Sequence, residues 1–215
     1  MMTRTAAMTT SDDRHSHWQQ RWTSIDPERA SWHQSHPTLS LALIEAAGAS
    51  RTAGVVDVGG GDSFLVDRLV ERGWAHVAVL DVSAAALTRA AERLGPLGDD
   101  VTWIESDVLE WRPVPGLFEL WHDRACFHFL TDEDDQRKYA EVMATALVPG
   151  GTAIIAGFAP GGPEKCSGLP VAHHDTASLS ALLAPHFELS DELDEEHTTP
   201  SGAIQAFRWW FLRRL

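Results

Sequence analysis

Apolar residues fall in short blocks punctuated by glycine, proline and acidic turns, and their spacing alternates between the strand and helix periods. Gly54 to Val58 is a nearly continuous apolar run, as expected of a strand buried on both faces. Ser63 to Arg72 then sets Phe64, Leu65, Leu69 and Val70 inward on a helix that Gly73 stops. His76 to Leu80 reads as a second strand, and Ser83 caps a helix running to Leu94, ended by Gly95-Pro96. Val101 to Ile104 and Leu117 to Trp121 are the third and fourth strands. Thr131 to Asp135 puts negative charge at the positive end of a helix continuing to Leu147. Pro149-Gly150-Gly151 turns into a fifth strand, Thr152 to Phe158. A helix near Thr176 to Leu183 and strands over Phe187 to Leu193 and Ala203 to Leu212 complete the series.

Strands separated by helices early and joined as a hairpin late predict an α/β fold. The expected form is a doubly wound, Rossmann-like seven-stranded sheet with helices on both faces and the last strand antiparallel, placed at the edge. Residues 1–16 are expected to be a flexible leader, and 17–48 an N-terminal arm and helix covering the site. That arm includes the helix Leu39 to Ala47, stopped by Gly48. Residues 49–215 form the domain proper.

Composition narrows the function. At 215 residues one domain is expected, and the 44% apolar share supports a core. A formal net charge of −14 disfavours a polyanionic nucleic-acid partner. No run approaches the ~20 apolar residues of a membrane span, and neither a signal nor a transit sequence is visible, so a cytoplasmic location is expected. Cys126 and Cys166 show neither a disulfide framework nor a metal-binding spacing, and no metal is expected.

The chemistry-bearing stretch is Val55-Val56-Asp57-Val58-Gly59-Gly60-Gly61-Asp62-Ser63. Glycine lets a strand turn sharply into a helix while the backbone meets a ligand. Asp57 at that turn repels a phosphate but holds a cationic amine, which points to S-adenosylmethionine (SAM). A dinucleotide fingerprint would put its third glycine at Phe64, which is too large. Asp81 and Asp107 follow the next two strands, at the carboxyl ends where such sheets bind ligands. A carboxylate after the second strand suits the two hydroxyls of a ribose, and one after the third suits an adenine amine. The bland alternative for each acid is a turn or helix cap.

With these residues the chain resembles the class I SAM-dependent methyltransferases over roughly residues 50–158. Asp57, Gly59 and Gly61 match the family's acidic-x-Gly-x-Gly loop, Ser63 replaces its last glycine, and Leu147 to Gly151 resembles its late loop. The resemblance implies SAM as cofactor, with S-adenosylhomocysteine as product. The implied contacts are Asp57, Gly59, Gly61, Asp81 with Val82, Asp107 with Val108, and Asp123. In many such enzymes the end of the fourth strand faces the substrate, so Asp123, Arg124 and His128 are the catalytic candidates. His128 is the possible base, with His122 behind it; packing is the alternative for both.

Ser31-Trp32-His33-Gln34 is similar to the tryptophan-bearing arm of a broad bacterial methyltransferase group. A folded-back arm would lay Trp22 and Trp32 over the sulfonium, a cation–π attraction of roughly 0.5–2 kcal/mol, unless they only staple the arm down. The loop 159–174, with Cys166, is a candidate substrate lid. Asp175 beside His173-His174 is better explained as a helix cap than as part of a metal site. Phe207, Trp209 and Phe211 either pack the core or pair subunits, and the oligomeric state stays open. The expected activity is methylation of an O, N or S atom of a small molecule. The alternatives are protein lysine methylation and a SAM-binding regulator without turnover.

Overall fold

The computed structural model describes residues 10–215. Among the described residues there are nine strands and six α-helices, with helices and strands interleaved over the central part of the chain. The first half runs α1 (Ser11–Ser24), α2 (Thr38–Ala46), β1 (Gly54–Val58), α3 (Leu65–Glu71), β2 (His76–Asp81), α4 (Ala84–Leu94), β3 (Thr102–Glu105) and β4 (Phe118–Arg124). The second half runs α5 (Glu133–Ala146), β5 (Leu147–Phe158), β6 (Lys165–Cys166), β7 (Leu169–Pro170), α6 (Thr176–Leu183), β8 (Phe187–Thr198) and β9 (Ile204–Arg214).

Seven strands form one sheet in the order β3-β2-β1-β4-β5-β9-β8, while β6 and β7 form a small separate hairpin. Strands β1 to β5 are mutually parallel, and β9 runs antiparallel to both β5 and β8. The last strand is therefore antiparallel as expected, but it lies inside the sheet and β8 forms the edge. Residue chemistry explains the exchange. On β9, Phe207, Trp209, Trp210 and Leu212 are buried, as an interior strand requires, so these aromatics serve as core. On β8 charged residues such as Glu188, Asp191 and Glu192 are exposed, and charge blunts a free edge.

Successive strand residues feed opposite faces. Val56 and Val58 join a core with Trp121, Tyr139, Met143, Leu179 and Trp210. Val55 packs in the other with Ile44, Leu65, Leu69, Leu87 and Trp209. Both faces of the sheet are therefore covered, and ligand access is left to the strand ends. The strand order reverses at β1, which pairs with β2 on one side and β4 on the other. The crevice beyond the carboxyl ends of these strands is the natural ligand site.

Two boundaries change the reading of the site. The flexible leader expected over 1–16 lies partly outside the described residues, and its described part is helical. Thr10 caps α1 by accepting from the Asp13 amide at 3.1 Å, and Asp12 and Asp13 sit in the first turn. Strand β4 continues past Trp121 to Arg124, because His122, Asp123 and Arg124 pair in register with Ile154, Ile155 and Ala156 of β5.

Candidate active site

The glycine loop after β1 is shaped by what crowds it. Gly59 has φ of 67° and Gly61 of 54°, values glycine adopts at little cost. A Cβ on Gly59 would stand 2.6 Å from Cβ of Cys126, and one on Gly60 2.6 Å from Oδ2 of Asp57. On Gly61 it would stand 2.5 Å from Cζ2 of Trp22. The loop is thus pressed between the start of the β4–α5 connection and the folded-back arm.

Asp57, at the end of β1, is buried and joined through Oδ1 to Nδ1 of His122 at 2.7 Å. That bond leaves Nε2 of His122 as the free ring nitrogen, without a partner among the described residues. Asp81, the last residue of β2, accepts from the Ser83 amide at 2.8 Å. Burial raises its pKa to about 7, against the pull of its hydrogen bonds from Ser83 and Gly61. Asp107 is also buried. Its Oδ1 accepts from the Leu109 amide at 2.9 Å, and its Oδ2 takes the Arg14 Nε at 2.6 Å.

The arm closes the cleft. Arg14, Trp18 and Trp22 recur every four residues, so they share one face of α1. Trp18 meets Phe129 edge-on at 4.9 Å, and Trp22 meets Trp32 at 5.6 Å. Gln19 accepts from the Ser83 hydroxyl and the Ala85 amide, and Arg89 of α4 donates to the Trp22 carbonyl. Farther along, His197 of β8 donates to the Ser31 carbonyl and accepts from the Gln34 side chain, which fixes the arm to the sheet edge.

Two cavities meet beneath this arm. One is walled by Trp18, Asp81, Val82, Asp107, Val108 and Cys166, and encloses about 830 Å³ of empty space including its open mouth. The other lies over Asp57, Gly60, Asp62, His33 and His122. Trp22, Trp32, Gly59 and Arg124 line both. Carboxylates along these cavities, with aromatic and glycine walls between them, fit an adenosyl amino acid.

The expected site residues therefore separate. Trp22, Trp32, Asp57, Gly59, Asp81, Val82, Asp107, Val108 and Arg124 come together on the two cavities. Gly61 lies just outside them, under Trp22. Asp123 is not presented to the cleft, contrary to its expected catalytic and cofactor roles. It is wholly buried and accepts from the Cys126 and Phe127 amides and the Tyr139 hydroxyl. It caps the turn after β4, and burial raises its pKa to about 6. His128 likewise lines neither cavity. It is buried against Phe129 and Phe158, at ring separations of 4.4 and 4.9 Å. Desolvation there lowers its pKa to about 3, so the expected base is a neutral packing ring. Of the two histidines of the β4 segment, only His122 lines a cavity.

Sequence reasoning missed Arg14, Gln19 and Trp18. The four-residue spacing of Arg14, Trp18 and Trp22 was the available signal. The 159–174 loop forms the β6–β7 hairpin and contributes Cys166 to the cavity wall. Asp175 caps α6 through a reciprocal bond pair with Ser178. Among the described residues no group of three or more His, Cys, Asp or Glu is placed to hold a metal, and no helix is long and apolar enough to cross a membrane.

A family profile described as a methyltransferase domain matches residues 55–151, which span the glycine loop, all three acids and the late Pro149-Gly150-Gly151 turn. Over these residues the chain is similar to a SAM-dependent methyltransferase domain. An uncharacterised methyltransferase of Mycobacterium tuberculosis is 28% identical over 117 residues, covering 54% of this chain and 56% of that protein. A counterpart in Mycobacterium bovis matches equally. The chain spans about half the length of the curated relatives it matches.

Among solved structures, this chain superposes on the 1,6-didemethyltoxoflavin-N1-methyltransferase of Burkholderia thailandensis. That structure contains 1,6-didemethyltoxoflavin and S-adenosylhomocysteine. The TM-score is 0.72 at 20% identity, over 98% of this chain and 93% of that one. The N-methyltransferase NodS of Bradyrhizobium japonicum, in complex with S-adenosylhomocysteine, gives 0.67 at 14% identity, over 94% and 98%. At these identities the likeness is one of fold.

Proposed function

We propose that this protein transfers the methyl group of SAM to an O, N or S atom of a small-molecule acceptor enclosed beneath the tryptophan arm. The observation that carries the reading is the convergence of Asp57, Asp81 and Asp107, the ends of three adjacent strands, on cavities roofed by Trp18, Trp22 and Trp32. Bound SAM supplies a methyl carbon already activated by its sulfonium.

The chain's own residues then hold and enclose. Asp81 accepts from the ribose hydroxyls, Asp107 from the adenine amine, and the backbone at Gly59 and Gly60 borders the amino-acid end. Trp22 and Trp32 offer aromatic faces to positive charge and exclude water. Alignment of acceptor and donor in a closed site provides most of the acceleration such a transfer needs. Where the acceptor must lose a proton, His122 is the candidate to take it: the residue lines the cleft, and its buried Nε2 has no partner among the described residues.

A roofed cleft admits a metabolite more readily than a folded protein surface, which favours a small acceptor over a lysine side chain. The test is incubation with methyl-tritiated SAM and a cell extract separated by size. Label in the low-molecular-weight fraction supports the reading. Label confined to protein would defeat it.

A further inference from the structure

Arg124 ends β4 and lines both cavities, yet its hydrogen-bonding capacity is largely unused. Its Nη1 makes one long bond to the Trp32 carbonyl, 3.4 Å. Nε and Nη2 are shielded from solvent and have no partner among the described residues. The guanidinium lies 4.5 Å from the Phe207 ring centroid, which fixes its plane but satisfies no N–H. Glu195 acts on it as a counter-charge, but its carboxylate is engaged by the Trp209 indole at 2.9 Å and makes no ion pair with Arg124 among the described residues. A second guanidinium approaches from the arm. Arg21 stands 5.8 Å from the Trp32 ring and also keeps a buried Nε without a partner. Burial raises the pKa of Cys166, and both arginines act on it in the opposite, weaker sense.

Buried guanidinium N–H groups without acceptors are costly, and a planar fork of donors is matched by a carboxylate or similar oxyanion. The protein as a whole is strongly acidic, at −14, so two poorly paired arginines beside one cleft are a local reversal of its charge. We propose that the methyl acceptor is a small anionic molecule whose carboxylate-like group is anchored by Arg124, with Arg21 at the rim, while a different atom of the acceptor takes the methyl group. This rests on the small-acceptor reading above. The carboxylates then meet the cationic donor, and Arg124, which lines both cavities, meets the anionic acceptor. The anchored group keeps its charge through the reaction; as the S–CH3 bond of SAM breaks and the bond to the acceptor atom forms, that atom gives up a proton, so the methylated product remains an anion.

The test uses the full chain, methyl-tritiated SAM and a small-molecule extract, with products passed over an anion-exchange resin. Label should be retained on the resin and released by salt. Arg124→Gln should lower its formation at least tenfold, Arg124→Lys less, and Arg21→Gln should raise the apparent KM with kcat nearly unchanged. Calorimetry with S-adenosylhomocysteine should give wild-type affinity for all three, which also shows that each folds. Label in the neutral or cationic flow-through would overturn the anionic class while leaving small-molecule methylation intact. Label in macromolecules alone would overturn the small-acceptor reading itself. A tenfold loss of S-adenosylhomocysteine affinity in a folded Arg124→Gln would assign this arginine to the donor's own carboxylate and end the proposal.

Discussion

Replacing Asp81 by Asn should have opposite effects on the free protein and on its complex with cofactor. In the free protein the carboxyl is buried, and its pKa is raised to about 7 by desolvation. An unfolded chain titrates it near 4. Between those values the folded state holds a proton that the unfolded state has lost, so stability falls as pH rises from about 4 to about 7. An amide resembles the protonated acid and keeps an oxygen for the Ser83 amide. D81N should therefore be more stable than wild type at pH 8, by on the order of 4 kcal/mol at most, and should lose that part of the pH slope.

Cofactor binding moves the other way. Hydrogen bonds from ribose hydroxyls favour the ionised carboxylate, and losing one charge-assisted bond costs about 1.5–3 kcal/mol, or roughly tenfold to 150-fold in affinity. Wild type must release a proton to bind below pH 7, so its affinity should fall about tenfold between pH 8 and pH 6. D81N should be nearly flat over that range. Urea denaturation and calorimetric titration of S-adenosylhomocysteine at several pH values measure both. If D81N bound as tightly as wild type, or kept the same pH dependence, Asp81 would not be the ribose acceptor.

Three further substitutions probe the arm and the revised site. Gly61→Ala drives a Cβ to within 2.5 Å of Trp22 at a positive φ; amide exchange over Ser11–Ser24 should accelerate and SAM should bind more weakly, and unchanged exchange would show that Trp22 does not rest there. Arg14→Ala releases Asp107 from its 2.6 Å ion pair, so SAM should bind about 1–2 kcal/mol tighter, roughly five- to thirtyfold by calorimetry; weaker binding would mean that Arg14 itself holds the ligand. His128→Phe exchanges an imidazole with two unpartnered nitrogens for an apolar ring, so thermal denaturation should show a gain of about 1 kcal/mol and turnover should stay within twofold; a large loss of kcat with SAM binding intact would restore His128 as a base.

Much of the sheet was legible because it is parallel and buried. Val55, Val56 and Val58 must be apolar when both faces are covered, and glycines plus an acid at the strand end mark the ligand side. The polar elements were harder. Helix α1 carries only Trp18 and Trp22 as large apolar anchors among charged and amide side chains, so its amphipathic stripe is narrow and its residues up to Ser16 read as a flexible leader. Strand β8 runs on through charged residues to Thr198 because backbone pairing with β9, not side-chain burial, holds an edge strand.

At the site, residue type suggested position but not orientation. Asp123, Arg124 and His128 all sit near the end of β4. Asp123 turns inward to meet Tyr139, sixteen residues away in sequence. His128 folds under Phe129 and Phe158, and only Arg124 reaches the cleft. Which way each side chain points depends on contacts from α5 and β5, and no local pattern in the β4 segment encodes those.

The proposed methyl donor lies between the β1 glycine loop and the two acids at the ends of β2 and β3. A crystal structure of the protein with S-adenosylhomocysteine measures this directly. The adenosyl group should lie against Asp81 and Asp107, with Arg14 displaced from Oδ2, and the homocysteine end beside Gly59 and His122. Binding at another face of the sheet, or no binding at millimolar ligand, would contradict it.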